Sequence, residues 1–165
     1  MRWRLQIALV AIFAFIFIAG CAAPTRATDQ FYAGSSHWQG RLSVRIESDP
    51  PQAFSAGFEL RGSPQVGELI FYTPLGSTAA ALSWSSGTAV MRTPSDVRYF
   101  ESLDALTAQA IGTSLPVAAL FAWLAGTDAV AAGWSADLSQ RTDGRFTARR
   151  TEPRPLAELR VVLEK

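Results

Sequence analysis

Six short stretches between His37 and Phe100 share one texture, and it limits the fold more than any other feature of the chain. In HWQGRLSVRIES, Leu42, Val44 and Ile46 alternate with Arg41, Ser43 and Arg45, the period of a strand with one buried face. Asp49-Pro50-Pro51 breaks that run. AFSAGFEL resumes it through Phe54, Ala56, Phe58 and Leu60, and Arg61-Gly62-Ser63-Pro64 makes the next turn. VGELIFYT, TAAALSW, GTAVMRT and VRYF follow at similar spacing. Closely spaced short strands joined by turns predict an antiparallel sheet wound along the chain.

The period then changes. In SLDALTAQAIG, Leu103, Leu106, Ala110 and Ile111 fall on one helical face, with Ser102 placed to cap the start and Gly112 the end. Pro116 suits the first turn of a second helix, PVAALFAWLAG, ending at Gly126. That helix is apolar all round, as buried helices are. GWSADLSQ, RFTARRTE and LAELRVVLE return to strand period, with Thr142-Asp143-Gly144 as a hairpin turn. The expected fold is α+β, mainly antiparallel β. Helices 102–112 and 116–125 are inserted in one connection and laid on one face of the sheet or across an opening.

The N-terminus is of another kind. Arg2 and Arg4 precede an apolar run over residues 5–18, broken only by Gln6, and Ile18-Ala19-Gly20-Cys21 follows. A positive start, a short apolar stretch and small residues at the cut site make a secretory signal. The run is shorter than the ~20 residues that span a bilayer. Cys21 is the only cysteine, so no disulfide forms within the chain, and a lone thiol in an exported protein calls for another use. IAGC resembles the bacterial lipobox, which implies acylation of Cys21 and cleavage before it. Residue 22 is alanine and not the aspartate of an inner-membrane retention signal, so the resemblance points to the outer membrane. Residues 1–20 are expected to be a removed lipoprotein signal, 21–36 a lipidated start and tether, and 37–165 a single domain.

The composition excludes several kinds of chemistry. Of 15 Lys and Arg, loss of Arg2 and Arg4 leaves 13 against 14 Asp and Glu, or −1, which gives no electrostatic case for nucleic acid. Arg141, Arg145, Arg149, Arg150 and Arg154 interleave with Asp143 and Glu152 and read as a solvated strand face; the alternative is a docking patch for an acidic partner or lipid phosphates. One histidine, His37, and one cysteine do not make a metal site. There is no G-x-S-x-G, and nothing sets Glu59 and Glu68 in the unequal environments of an acid–base couple. Neither an enzyme nor a cofactor is expected.

The turn in YTPLGST is more informative. Pro74 at the second position and Gly76 at the fourth suit a type I turn, with Gly76 at positive φ rejoining the ladder as a bulge. Leu75 then points away from both strands. Either it folds back under a neighbouring loop, or it is a small apolar probe for a membrane or a protein. Burying a leucine is worth ~1.5–3 kcal/mol, far less than an acyl chain at ~0.8 kcal/mol per methylene. A probe of this size gives a weak, reversible touch.

Together these residues resemble the LolB family of outer-membrane lipoprotein receptors. The likeness rests on the lipobox at Cys21, GRLSVRI from Gly40, the strand–PLGS–strand unit at Pro74–Ser77, and LPVAALFAWLAG from Leu115, in the family's order. The resemblance implies a half-open β-barrel with a helical lid inserted between strands and an apolar interior for acyl chains. It implies a monomer, anchored in the outer membrane and facing the periplasm. Its partners would be a LolA-type periplasmic carrier, the acyl chains of lipidated cargo proteins, and outer-membrane lipid. Phe54, Phe58, Leu60, Ile70, Leu82, Leu120, Phe121 and Leu124 are the candidates for that interior or for an ordinary core. By the same likeness Pro74, Leu75, Gly76 and Ser77 form the loop that delivers cargo to the membrane. The rival reading is a structural or assembly lipoprotein of the outer membrane, with a packed core and a protein-binding edge.

Overall fold

The alternating stretches become strands in a computed structural model that describes residues 35–131 and 133–164. The signal, Cys21 and the tether up to residue 34 lie outside the described residues. The strands are β1 (Ser36–Ile46), β2 (Gln52–Gly62), β3 (Gly67–Tyr72), β4 (Thr78–Ser85), β5 (Thr88–Arg92), β6 (Val97–Phe100), β7 (Trp134–Asp137), β8 (Arg145–Arg150) and β9 (Ala157–Leu163). They make one antiparallel sheet in the order β6-β5-β4-β3-β2-β1-β9-β8-β7. β1 to β6 pair in sequence, as winding along the chain predicts. β9 then returns to pair with β1, from Ile46↔Ala157 to Gly40↔Leu163. Gly40 makes that approach possible, since a Cβ there would lie 2.1 Å from the Val162 carbonyl oxygen.

Register gathers one face of every long strand into a single core. Leu42 is opposite Ala56 and Val161, Phe58 opposite Phe71, and Leu82 between Leu69 and Met91. All belong to one buried apolar cluster. Alternate residues, among them Arg41, Arg45 and Arg160, stand exposed on the other face, as a strand's period of two requires.

Both helices occupy the β6–β7 connection: α1 (Leu103–Ile111) and α2 (Val117–Leu124). The expected caps of α1 are present: Ser102 Oγ accepts from the Ala105 N–H, and Gly112 takes φ 82°. Pro116 lies just before α2, one position earlier than its expected place in the first turn. Phe121 on α2 meets Trp38 of β1 at 5.5 Å and Trp84 of β4 at 6.4 Å, while Trp123 meets Phe146 of β8 at 6.3 Å. In a flat sheet β4 and β8 would stand roughly 24 Å apart, at ~4.8 Å per strand. An eight-residue helix is only about 12 Å long. The sheet therefore curls around α2. It is not closed, because β6 and β7 remain its edges, and the result is the expected half-open barrel with a helical lid.

Strand direction sorts the connections into two rims. The turns at 47–51, 73–77, 93–96 and 151–156 share one rim; those at 63–66, 86–87 and 138–144 share the other, where β1 also begins at Ser36.

Candidate functional site: an apolar turn on the rim of a lidded interior

The turn between β3 and β4 is held by its own backbone. The Gly76 N–H donates to the Thr73 carbonyl at 2.9 Å and the Thr73 N–H to the Ser77 carbonyl at 2.8 Å. Thr73 Oγ1 accepts from the Ser77 N–H at 3.2 Å. Gly76 sits at φ 82°, a conformation that costs an L side chain but not glycine. Gly76 and Ser77 together face Thr73, which is the expected bulge; a second slip of one residue falls at Phe71/Tyr72, where the register passes from Ala80 to Thr78. Pro74, Leu75, Gly76 and Ser77 are all exposed, and Leu75 is 94% exposed. Of the two alternatives for this side chain, the geometry removes folding back.

Polar groups on the outer face fix the root of the turn. The Tyr72 hydroxyl donates to Glu59 Oε2 at 2.8 Å, Arg61 Nε donates to Glu59 Oε1 at 2.7 Å, and His37 Nε2 lies 2.9 Å from the same Oε1. Burial raises the affinity of this carboxyl for a proton. The hydrogen bonds from Tyr72, Arg61 and His37, with the Arg61 charge, outweigh it and hold Glu59 below the ordinary carboxylate range. Glu59 and the single histidine thus form part of a charge-satisfied tie between strands. Among the described residues no group of His, Cys, Asp and Glu is arranged to hold a metal.

The candidates for the interior divide. Phe58, Leu60, Leu82, Leu120, Phe121 and Leu124 lie in one cluster between the sheet and the helices. Phe54 is partly buried and packs on Phe71, ring centroids 5.1 Å apart. Ile70 does not join them. It is buried, but it pairs with Glu59 and Ala81 on the opposite face. Leu69, Ile70 and Phe71 are successive apolar residues, so alternation alone leaves open which of them points inward; pairing with Leu60 and Phe58 selects Leu69 and Phe71.

Sequence reading passed over the aromatic wall. Trp38, Trp84, Trp123, Trp134 and Phe146 line the interior; for the four on strands the signal was the same alternation, Trp84 standing two residues after Leu82, whereas Trp123 lies on the all-apolar α2. Two of the indoles have their N–H bonded to backbone: Trp84 Nε1 donates to the carbonyls of Ser63 and Pro64, and Trp123 Nε1 to that of Ala129. Leu60, Leu106, Leu115, Trp123, Leu124 and Leu159 have no accessible surface, so side chains fill the interior.

The C-terminal arginines do not form one patch. Arg141 Nε donates to the Leu124 carbonyl at 2.9 Å at the end of α2. Arg149 pairs with Glu158 at 2.8 Å, and Arg150 lies over Trp134 while donating to the Pro155 carbonyl.

Fold and rim together define a class: a half-open, helix-lidded β-barrel with an apolar interior and one apolar side chain offered on a rigid turn. The family profile described as "Outer membrane lipoprotein LolB" matches residues 36–152, and the chain belongs to that family. It is similar to the outer-membrane lipoprotein LolB of Bordetella petrii, 30% identical over 161 residues that cover 82% of this chain and 81% of that protein. The protein of the same name from Cupriavidus pinatubonensis is 32% identical over 148 residues, 86% of this chain and 70% of that one. The Ralstonia nicotianae protein is 36% identical over 128 residues, 71% of this chain and 60% of its own length. The chain is thus an outer-membrane lipoprotein of the LolB type, from a family that serves lipoprotein trafficking and not catalysis.

Proposed function

We propose that this protein takes lipidated proteins from a LolA-type periplasmic carrier, shelters their acyl chains between the sheet and α1–α2, and releases them into the inner leaflet of the outer membrane. Cys21, acylated, is its anchor. The observation that carries this reading is Leu75, 94% exposed at the tip of a hydrogen-bonded turn. A chain that buries its leucines elsewhere gains nothing for folding by presenting this one. A bilayer offers it ~1.5–3 kcal/mol, enough to bring the rim into contact and too little to hold it there.

The interior supplies the apolar medium that acyl chains need while crossing water. Its side chains fill the space when the lid is down, so cargo enters as the helices lift and expose Trp38, Trp84 and Phe121. Direction comes from affinity: the interior holds the chains better than the carrier does, and the bilayer better still. Replacing Leu75 with Glu leaves uptake from the carrier intact and impairs release into vesicles. Normal release by that variant overturns the role of the turn.

The filled interior is the one observation that favours the rival reading of a structural lipoprotein with a packed core. Titration with a fluorescent fatty acid separates the two, since a permanently packed core gives no saturable signal.

A further inference from the structure

Leu75 has a counterpart. Among the described residues, two large apolar side chains are more than nine-tenths exposed: Leu75 at 94% and Val130 at 97%. The next most exposed, Tyr99, Val97 and Val162, lie on strands, where alternation puts every second residue outside. Val130 is in the connection from α2 to β7, and its exposure is imposed by both neighbours. The Trp123 indole N–H donates to the Ala129 carbonyl at 3.1 Å. The Trp134 N–H donates to the Ala131 carbonyl at 2.8 Å. Both tryptophans are buried, and Ala129 and Ala131 pack against the same core. With the residues on either side pinned inward, Val130 is held out.

It is also held in a telling place. Ala131 pairs with Trp134 across a tight reversal, and the Thr151 N–H donates to the Gly133 carbonyl at 2.9 Å. Thr151 opens the β8–β9 turn, whose Leu156 carbonyl accepts from the Glu47 N–H of the β1–β2 turn at 2.9 Å. Val130 therefore stands beside the rim that carries the 73–77 turn. β3 and β4 on one side and β7 on the other flank the central strands β2, β1 and β9, so the two tips straddle the lidded interior.

We propose that Val130 is a second membrane-contacting residue, and that this rim meets the bilayer at two points; the proposal rests on the release role proposed above for Leu75. A protein partner needs a contiguous surface, on the order of 800 Å² per side in a stable complex. Two isolated tips flanked by exposed Thr127, Asp128, Pro74 and Ser77 do not provide one. A bilayer needs no complementary shape and accepts a single apolar tip. Two tips on one rigid body do what one cannot: they fix orientation and set the opening of the interior toward the lipid. Their affinities also multiply, because the second contact is made at the high effective concentration created by the first.

The test uses the full lipidated chain. With Cys21 acylated, a cysteine introduced at Leu75, at Val130 or, as a control on the opposite rim, at Ser86 is the single free thiol. Each carries an environment-sensitive dye and meets phosphatidylethanolamine–phosphatidylglycerol vesicles with nitroxides on their acyl chains. The expected result is quenching at 75 and 130 and none at 86. Quenching at 75 without 130 overturns this proposal and leaves the reading of Leu75 standing. Quenching at 130 without 75 overturns the two-point contact and removes the role of Leu75; quenching at neither overturns both. A dye at 130 that responds to loaded carrier and not to vesicles overturns it in favour of a protein contact. Val130→Ser is expected to slow release into vesicles by roughly tenfold, the worth of one small apolar side chain, with uptake unchanged.

Discussion

The Tyr72 hydroxyl donates a 2.8 Å hydrogen bond to Glu59 Oε2 and ties the root of the exposed turn to the neighbouring strand. Tyr72 is the last residue of β3, so whatever steadies it steadies Leu75. Replacing Tyr72 with Phe keeps the ring and removes one hydrogen bond to a charged acceptor, a loss of about 1.5 kcal/mol. The expected outcome is a lower urea midpoint with an unchanged slope, together with slower release into vesicles and normal uptake.

Glu59 makes the same contact sensitive to acid. Burial pushes its proton affinity up, but the bonds from Tyr72, Arg61 and His37 pull it further down, leaving the folded value below the ordinary 4.5. Between those two values the unfolded chain binds more protons at this carboxyl than the folded one does, so stability rises with pH there. The contribution is complete above the unfolded value and is lost as pH falls through the folded one. Urea midpoints measured from pH 6 downward are expected to fall more steeply for the parent than for Glu59→Gln, with the two curves converging in acid.

Arg141 holds the end of the lid. Both its Nε and a terminal guanidinium nitrogen donate to the Leu124 carbonyl, which closes one of the open acceptors at the C-terminus of α2. Arg141→Ala is expected to cost about 1 kcal/mol in stability and to speed the entry of a fluorescent fatty acid in stopped-flow mixing. Arg141→Lys keeps the charge without the planar fork and falls between the two.

Phe121 is wedged between Trp38 and Trp84 under the lid. Phe121→Ala is expected to lower stability by about 3–4 kcal/mol, transfer and cavity terms together. The void it leaves lies where acyl chains are proposed to lie, so the folded variant binds a fluorescent fatty acid more tightly than the parent. Equal or weaker binding, measured by titration, removes this part of the interior from the cargo path.

Much of this molecule was written locally. Alternation in GRLSVRI and AFSAGFEL, the caps Ser102 and Gly112, and the spacing of Pro74 and Gly76 each specify a backbone state within a few residues, and each element appears where its pattern lies. The place of Leu75 at the tip was legible for the same reason, but whether it folds back under a neighbouring loop was decided only by the structure, which leaves it 94% exposed. Other features were decided by the tertiary structure alone. The pairing of β9 with β1 joins residues about as far apart in the domain as the chain allows, and no local signal encodes it. Ile70 sits in an unbroken apolar run, where only the register with β2 determines which side chain points inward. Val130 looks like any loop valine in TDAVAA; it became notable once Trp123 and Trp134 were seen to hold its neighbours from two different elements. Sequence determines what each segment can be through short-range sterics and periodicity. Which faces meet, and which side chain is left outside, follows from contacts between segments that exist only when the sheet has curled around α2.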